Sequence, residues 1–200
     1  METFLGIAVG LGLSAACGFR VFVPLLVMNL ASLSGQLHLA SGFAWIGSYH
    51  ATVAFAMATI AEVFGYYIPW LDHALDMAAT PAAVIAGTLA TASLVTDMSP
   101  FLKWTLALIA GGGIAGLVQG TTVTLRTTSL ASTAGLGNPL VSTLELVGSI
   151  IIALLAVLVP ILCLALIVFL CIFVIRKAGR LVFGKTSSLN YVVRGGLRKS

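Results

Sequence analysis

The sequence predicts an all-α, polytopic helical membrane protein of about six membrane segments. Three observations carry that expectation. Hydrophobic residues fill 60% of the 200 positions and charged residues only 8%, with a mean hydropathy of +1.12. Soluble chains carry roughly 25% charged residues, so a soluble fold of this size is excluded. The apolar runs are long and unbroken rather than alternating, which selects helices over a β-barrel, because backbone polar groups in lipid must be satisfied internally. Finally, Arg176, Lys177, Arg180, Lys185, Arg194, Arg198 and Lys199 all follow the last apolar run. A membrane domain over 1–175 and a basic tail over 176–200 are therefore expected. The positive-inside rule places that tail in the cytoplasm, against anionic lipid headgroups. No folded recognition element accompanies the basic cluster, so nucleic acid is not an expected partner.

The first apolar run covers 3–30, and about 20 apolar residues suffice to cross a bilayer. Near its middle stands Gly18-Phe19-Arg20-Val21-Phe22-Val23-Pro24, with a guanidinium at membrane depth. Pro24 has no N–H for the carbonyl of Arg20, so a kink is expected there. Gly12 and Gly18 leave room for a close neighbour. Residues 13–17 read L-S-A-A-C, but no positive charge precedes them, and the first span is read from Met1 onward rather than as a cleaved signal. Phe43, Trp45 and Tyr49 suit a headgroup-level segment over 31–47.

A second span, 48–68, carries Glu62 and stops at Pro69. Asp72-His73-Ala74-Leu75-Asp76 is expected as an interfacial turn. Thr80-Pro81 then opens a third span to about 95, since proline suits the first turn of a helix. A fourth span over 101–125 holds Gln119 and the run Gly111-Gly112-Gly113, read as close-packing positions; the strand, Lys and Ser/Thr of a phosphate loop are absent. Residues 126–138, rich in Thr, Ser and Gly, are expected to form a loop or interfacial segment. Asn138-Pro139 opens the last apolar stretch, 139–175. As one helix it would be about 55 Å long against a core of about 30 Å. A short or re-entrant helix holding Glu145, then a last span, is the favoured reading; one steep kinked helix is the alternative. Cys17, Cys163 and Cys171 sit in apolar surroundings and suggest no disulfide framework.

An embedded arginine needs a counter-charge, because an unpaired one costs about 2.5–3.5 kcal/mol on insertion scales. Glu62 and Glu145 are the candidate partners of Arg20. Both lie in the pattern [ST]-x-x-E-x-x-G, as Thr59-Ile60-Ala61-Glu62-Val63-Phe64-Gly65 and Ser142-Thr143-Leu144-Glu145-Leu146-Val147-Gly148. The recurrence fits an inverted 3+3 repeat with halves 1–97 and 98–175, a plan that puts transporter sites at the repeat interface. Arg20, Glu62 and Glu145, with Gln119 and Asn138 as uncharged members, make the expected substrate or ion pathway. One carboxylate is left over to titrate, bind a cation or hold a proton. The competing reading is a structural ion pair that locks helices together. Asp72, His73 and Asp76 form a second, interfacial polar group at helical neighbour spacing. Catalytic zinc asks for a third protein ligand, so neither metal nor cofactor is expected, and a solvated turn is the plainer reading.

These motifs, in this order, resemble those of small bacterial integral membrane proteins of the uncharacterised family known as domain of unknown function forty-one twenty-six. The resemblance rests on Gly18–Pro24, Asp72–Asp76, the glycines at 111–113, and Asn138-Pro139 with Glu145, and covers about 1–175. It implies a bacterial membrane location and supplies no activity. The functional expectation is a small transporter or channel-like protein of the bacterial inner membrane, not an enzyme, in which a second copy helps to enclose the pathway as a homo-oligomer. A membrane scaffold and an enzyme acting on a lipid-linked substrate through Asp72, His73 and Asp76 are the rivals.

Overall fold

The computed structural model describes residues 2–133 and 137–196, without the side chains of 2, 69–74, 178 and 180–196. It is 87% helical, and no strand occurs among the described residues. The chain divides into two compact units, Met1–Ala165 and Leu166–Ser200.

The first unit opens with α1 (Glu2–Cys17) and α2 (Phe22–Leu33). The expected single span with a kink at Pro24 is thus two helices, and the break falls at 18–21. Pro24 sits inside the first turn of α2, where a missing N–H costs nothing. A short 3-10 helix (Ser41–Gly47) leads into α3 (Tyr49–Gly65), whose N-terminus is capped by Ser48. Asn29 ties α2 to this corner, donating to the carbonyls of Ile46 and Ser48 and accepting from Thr52.

α4 runs unbroken over Pro69–Leu94, so the expected turn at 72–76 is helical and the helix that carries the third span starts twelve residues before Pro81. Pro69, not Pro81, takes the first-turn position. Pro81 lies inside the helix, where its missing hydrogen bond to Met77 falls on an exposed face. α5 (Pro100–Leu106), a π-helical stretch (Ala107–Gly112) and α6 (Gly113–Thr133) then form one long rod. Residues 126–133 therefore belong to a helix and not to a loop. Their hydroxyls bond back onto the helix itself, Thr127 to Val123, Thr128 to Thr124 and Ser132 to Thr128, so a Thr/Ser-rich sequence stays helical.

α7 (Asn138–Leu158) begins at Asn138-Pro139 as expected, with Gly137 in the N-cap position. It spans 21 residues, long enough to cross a membrane, which replaces the short or re-entrant helix. α8 (Pro160–Gly196) starts at Pro160 and continues as a helix through the second unit, where Arg176 and Lys177 are exposed.

Among the described residues, four helices, within Leu75–Leu94, Pro100–Thr133, Asn138–Leu158 and Pro160–Lys177, are long and apolar enough to cross a membrane. The 3-10 helix and α3, bent by 62°, make a fifth crossing if taken together, and α1 and α2 are shorter apolar helices. The packing has the sense of a membrane protein. Large apolar side chains such as Phe101 (78% exposed) and Leu140 (69%) point outward, while Ala8, Ala15, Ala86 and Ala90 fill the core. The chain is a multi-pass helical membrane protein.

α1 is the central helix, packed on α2, α4, α6 and α7. Its contact with α4 is a close-packed seam. Ser14 Oγ lies 2.6 Å from the carbonyl of Gly87 and 2.8 Å from Thr91 Oγ1. A Cβ on Gly10 of α1 would stand 2.9 Å from Thr91 Cα on α4, so this crossing requires glycine.

Candidate functional site

The site is built around the break between α1 and α2. α1 closes with Phe19 and Arg20 donating to the carbonyl of Ala16. Gly18 lets the helix end approach α6, since a Cβ there would lie 2.6 Å from the Ala115 carbonyl. The amides that start α2 have no intrahelical acceptor. Glu62, on α3, supplies both: Oε1 accepts from Val21 N–H at 2.8 Å and Oε2 from Phe22 N–H at 3.1 Å. A carboxylate on a helix N-terminus also opposes the helix dipole. Glu62 therefore caps a helix instead of pairing with Arg20, as had been expected.

Arg20 is 1% exposed. Its Nη2 donates to the backbone carbonyl of Ser142 at 2.9 Å and to the Ser142 hydroxyl, and lies 3.7 Å from Glu145 Oε2. Glu145 is thus the carboxylate nearest Arg20, but its stronger partner is a residue the sequence reading missed. Arg126, buried on α6, donates Nε to Glu145 Oε1 at 2.9 Å and Nη2 to Oε2. Its Nη1 reaches Asp76 Oδ1 at 3.0 Å, bringing α4 into the group. The Tyr66 ring packs against both guanidinium groups, with each Cζ 3.9 Å from the ring centroid. Such contacts add about 0.5–2 kcal/mol each where water is excluded.

Arg20, Glu62, Glu145 and Asp76 thus come together, with Arg126, Tyr66 and Ser142 added by the structure. Asn138 stands one turn before Ser142 at the start of α7. Gln119 is buried two turns before Arg126 on α6 and forms no hydrogen bond to these side chains among the described residues. The side chains of Asp72 and His73 lie outside the described residues. A signal for Arg126 was present: Ala115, Gln119, Thr122 and Arg126 recur at helical spacing, and all four are buried.

The described side chains at the site amount to two guanidinium groups and three carboxylates. Arg126 bridges Glu145 and Asp76, and Arg20 adjoins Glu145. Glu62 makes no salt bridge among the described residues, and its acceptor bonds are to backbone N–H groups. Beside it opens a cavity of about 410 Å³, walled by α2, α3 and α4 residues such as Phe22, Ala58 and Ala79, with Glu62 and Tyr66 as its polar members. Among the described residues, no three His, Cys, Asp or Glu side chains gather in a way that could hold a metal ion.

No curated protein and no solved structure matches the chain. The family model described as Domain of unknown function (DUF4126) matches residues 7–180, and the chain belongs to that family.

Proposed function

We propose that this protein is a small transporter or channel-like protein of the bacterial inner membrane, with its pathway beside Arg20, Glu62 and Glu145. One observation carries the reading: a helix is interrupted within an apolar run, and the carboxylate that caps the interruption also lines a cavity. Transporters build ion and substrate sites from broken helices, because the freed backbone groups and the helix dipole supply polar contacts at membrane depth. Ionisable residues are expensive there and mark function by default. Gln119 and Asn138 flank the pathway on α6 and α7. In this reading the tail over 176–200 faces the cytoplasm and anionic headgroups, and a second copy completes the enclosure.

The test is a solute-uptake and proton-flux screen in proteoliposomes, comparing wild type with Arg20→Ala and Glu62→Gln. The expected result is a flux that falls at least tenfold in both variants, with folded protein confirmed by size-exclusion chromatography. Equal behaviour of wild type and variants for every solute would remove the transport reading.

The scaffold reading is favoured by a different observation, the sealed network of Arg126, Glu145 and Asp76 with Arg20 shut away from solvent. In that reading the charges only join α4, α6 and α7 to the break. An enzyme at Asp72, His73 and Asp76 has less support, because Asp76 is engaged by Arg126.

A further inference from the structure

We infer that the cavity beside Glu62 binds an organic ammonium ion with a short apolar body, and that the Glu62 carboxylate is its counter-ion. This deepens the pathway reading and rests on the same site.

The cavity has the size of a small-molecule site. Its volume of about 410 Å³ falls near the lower end of ligand pockets, which run about 300–1,000 Å³. Its walls are almost wholly apolar, and Ala58, Ala79 and Ala82 leave open the space that larger side chains would fill. Neither Arg20 nor Arg126 lines it.

The charge arrangement selects the ligand. Arg20 adjoins Glu145 and Arg126 bridges Glu145 and Asp76, which leaves Glu62 as the carboxylate of the group with no salt bridge among the described residues. Each Glu62 oxygen takes one backbone N–H, whereas a carboxylate offers about four acceptor positions. Glu62 therefore keeps room for further donors. An anion entering the cavity would meet this carboxylate, and no cation lines the cavity among the described residues. A neutral apolar molecule would fill the walls and leave the carboxylate desolvated and unanswered. A hydrated divalent cation wants about six oxygen ligands, and the alkyl walls provide none of them. An ammonium group on a short apolar body answers both the charge and the walls.

Thermal unfolding of the purified full-length chain in a nonionic detergent tests this, with hexylammonium, hexanol and hexanoate as probes. Hexylammonium is expected to raise the Tm in a saturable way, since a ligand that binds only the folded state stabilises it. Hexanol and hexanoate are expected to leave it unchanged. Ala82→Leu, which fills the cavity without touching Glu62, should abolish the response, and Glu62→Gln should weaken the apparent affinity at least tenfold. An equal response to hexanol, or wild-type affinity in a folded Glu62→Gln variant, overturns the inference. Should Glu62→Gln fail to fold, the three probes and Ala82→Leu decide the matter.

The ammonium could come from a soluble amine or from an ethanolamine lipid headgroup. Repeating the titration in nanodiscs with and without phosphatidylethanolamine separates them, since a headgroup occupant competes with hexylammonium and a soluble one does not. The outcome is also distinct from that of the flux screen. Saturable binding without flux of any solute keeps this site and ends the transport reading. Flux of another solute with no hexylammonium response does the reverse.

Discussion

The α1–α4 seam and the cluster at the α1–α2 break are both buried and polar, yet they are held together by opposite means. At the seam, the Ser14 hydroxyl has the carbonyls of Gly10 and Gly87 as acceptors and shares a hydroxyl–hydroxyl bond with Thr91, between glycines that let the helices nearly touch. Each bond there is neutral and short. At the break, formal charges from α1, α4, α6 and α7 meet, with Glu62 of α3 closing the start of α2. No member of that group is satisfied by its own helix. The seam is therefore expected to tolerate the loss of one contact better than the cluster tolerates the loss of the carboxylate that its two guanidinium groups share.

The largest effect should come from Glu145→Ala. It leaves Arg126 and Arg20 without their shared carboxylate, and breaking a buried pair costs about 3–5 kcal/mol. Thermal unfolding in detergent is expected to show a marked fall in Tm or loss of folded protein. A near-wild-type Tm would mean that the cluster is no more demanding than the seam. Next comes Gly87→Ala, at the edge of the seam where α4 meets α6 and the π-helical stretch: the added Cβ would stand 2.6 Å from Ala115 Cβ and 3.0 Å from the Gly111 carbonyl. Overpacking of this kind costs about 1–3 kcal/mol, and the loss should be partly recovered by Ala115→Gly.

Ser14→Ala should be milder, about 1 kcal/mol, because the carbonyls it serves already belong to helices. Combined with Thr91→Ala it should cost less than the sum of the two single changes, as contacting residues do. The smallest effect is expected for Tyr67→Phe. Its hydroxyl bonds Thr143 at 3.0 Å in an exposed position just beside the cluster. A change within about 0.5 kcal/mol is expected there, which would show that the demand for charge stops at the buried groups.

Membrane class, the broken first run, and the placement of Arg20 beside Glu145 were legible because a charge in an apolar stretch has few inexpensive explanations. Where the helices begin and end was less legible. Pro81 looked like a helix start, but an exposed turn inside α4 tolerates it, and Pro69 holds that role. Arg126 was expected in a loop or interfacial segment on the strength of its Thr and Ser neighbours. Those hydroxyls bond back to their own helix, so composition alone misleads about where a helix stops. The role of Glu62 could not be read from side chains, since its partners are backbone amides exposed only by the position of the break.

The break also sets an order of assembly. Glu62 lies 41 residues after the Val21 amide it caps, and Ser142 lies 122 residues after Arg20. Synthesis runs from the N-terminus, so α1 and α2 are made long before anything can answer the guanidinium between them. Arrival of α3 closes the start of α2, and arrival of α6 and α7 brings Arg126, Ser142 and Glu145. Until then α1 and α2 carry an unanswered cation in an apolar run, and a nascent chain lacking α7 cannot complete it. Insertion of this protein is therefore a process in which the join between α1 and α2 is finished only once α7 arrives.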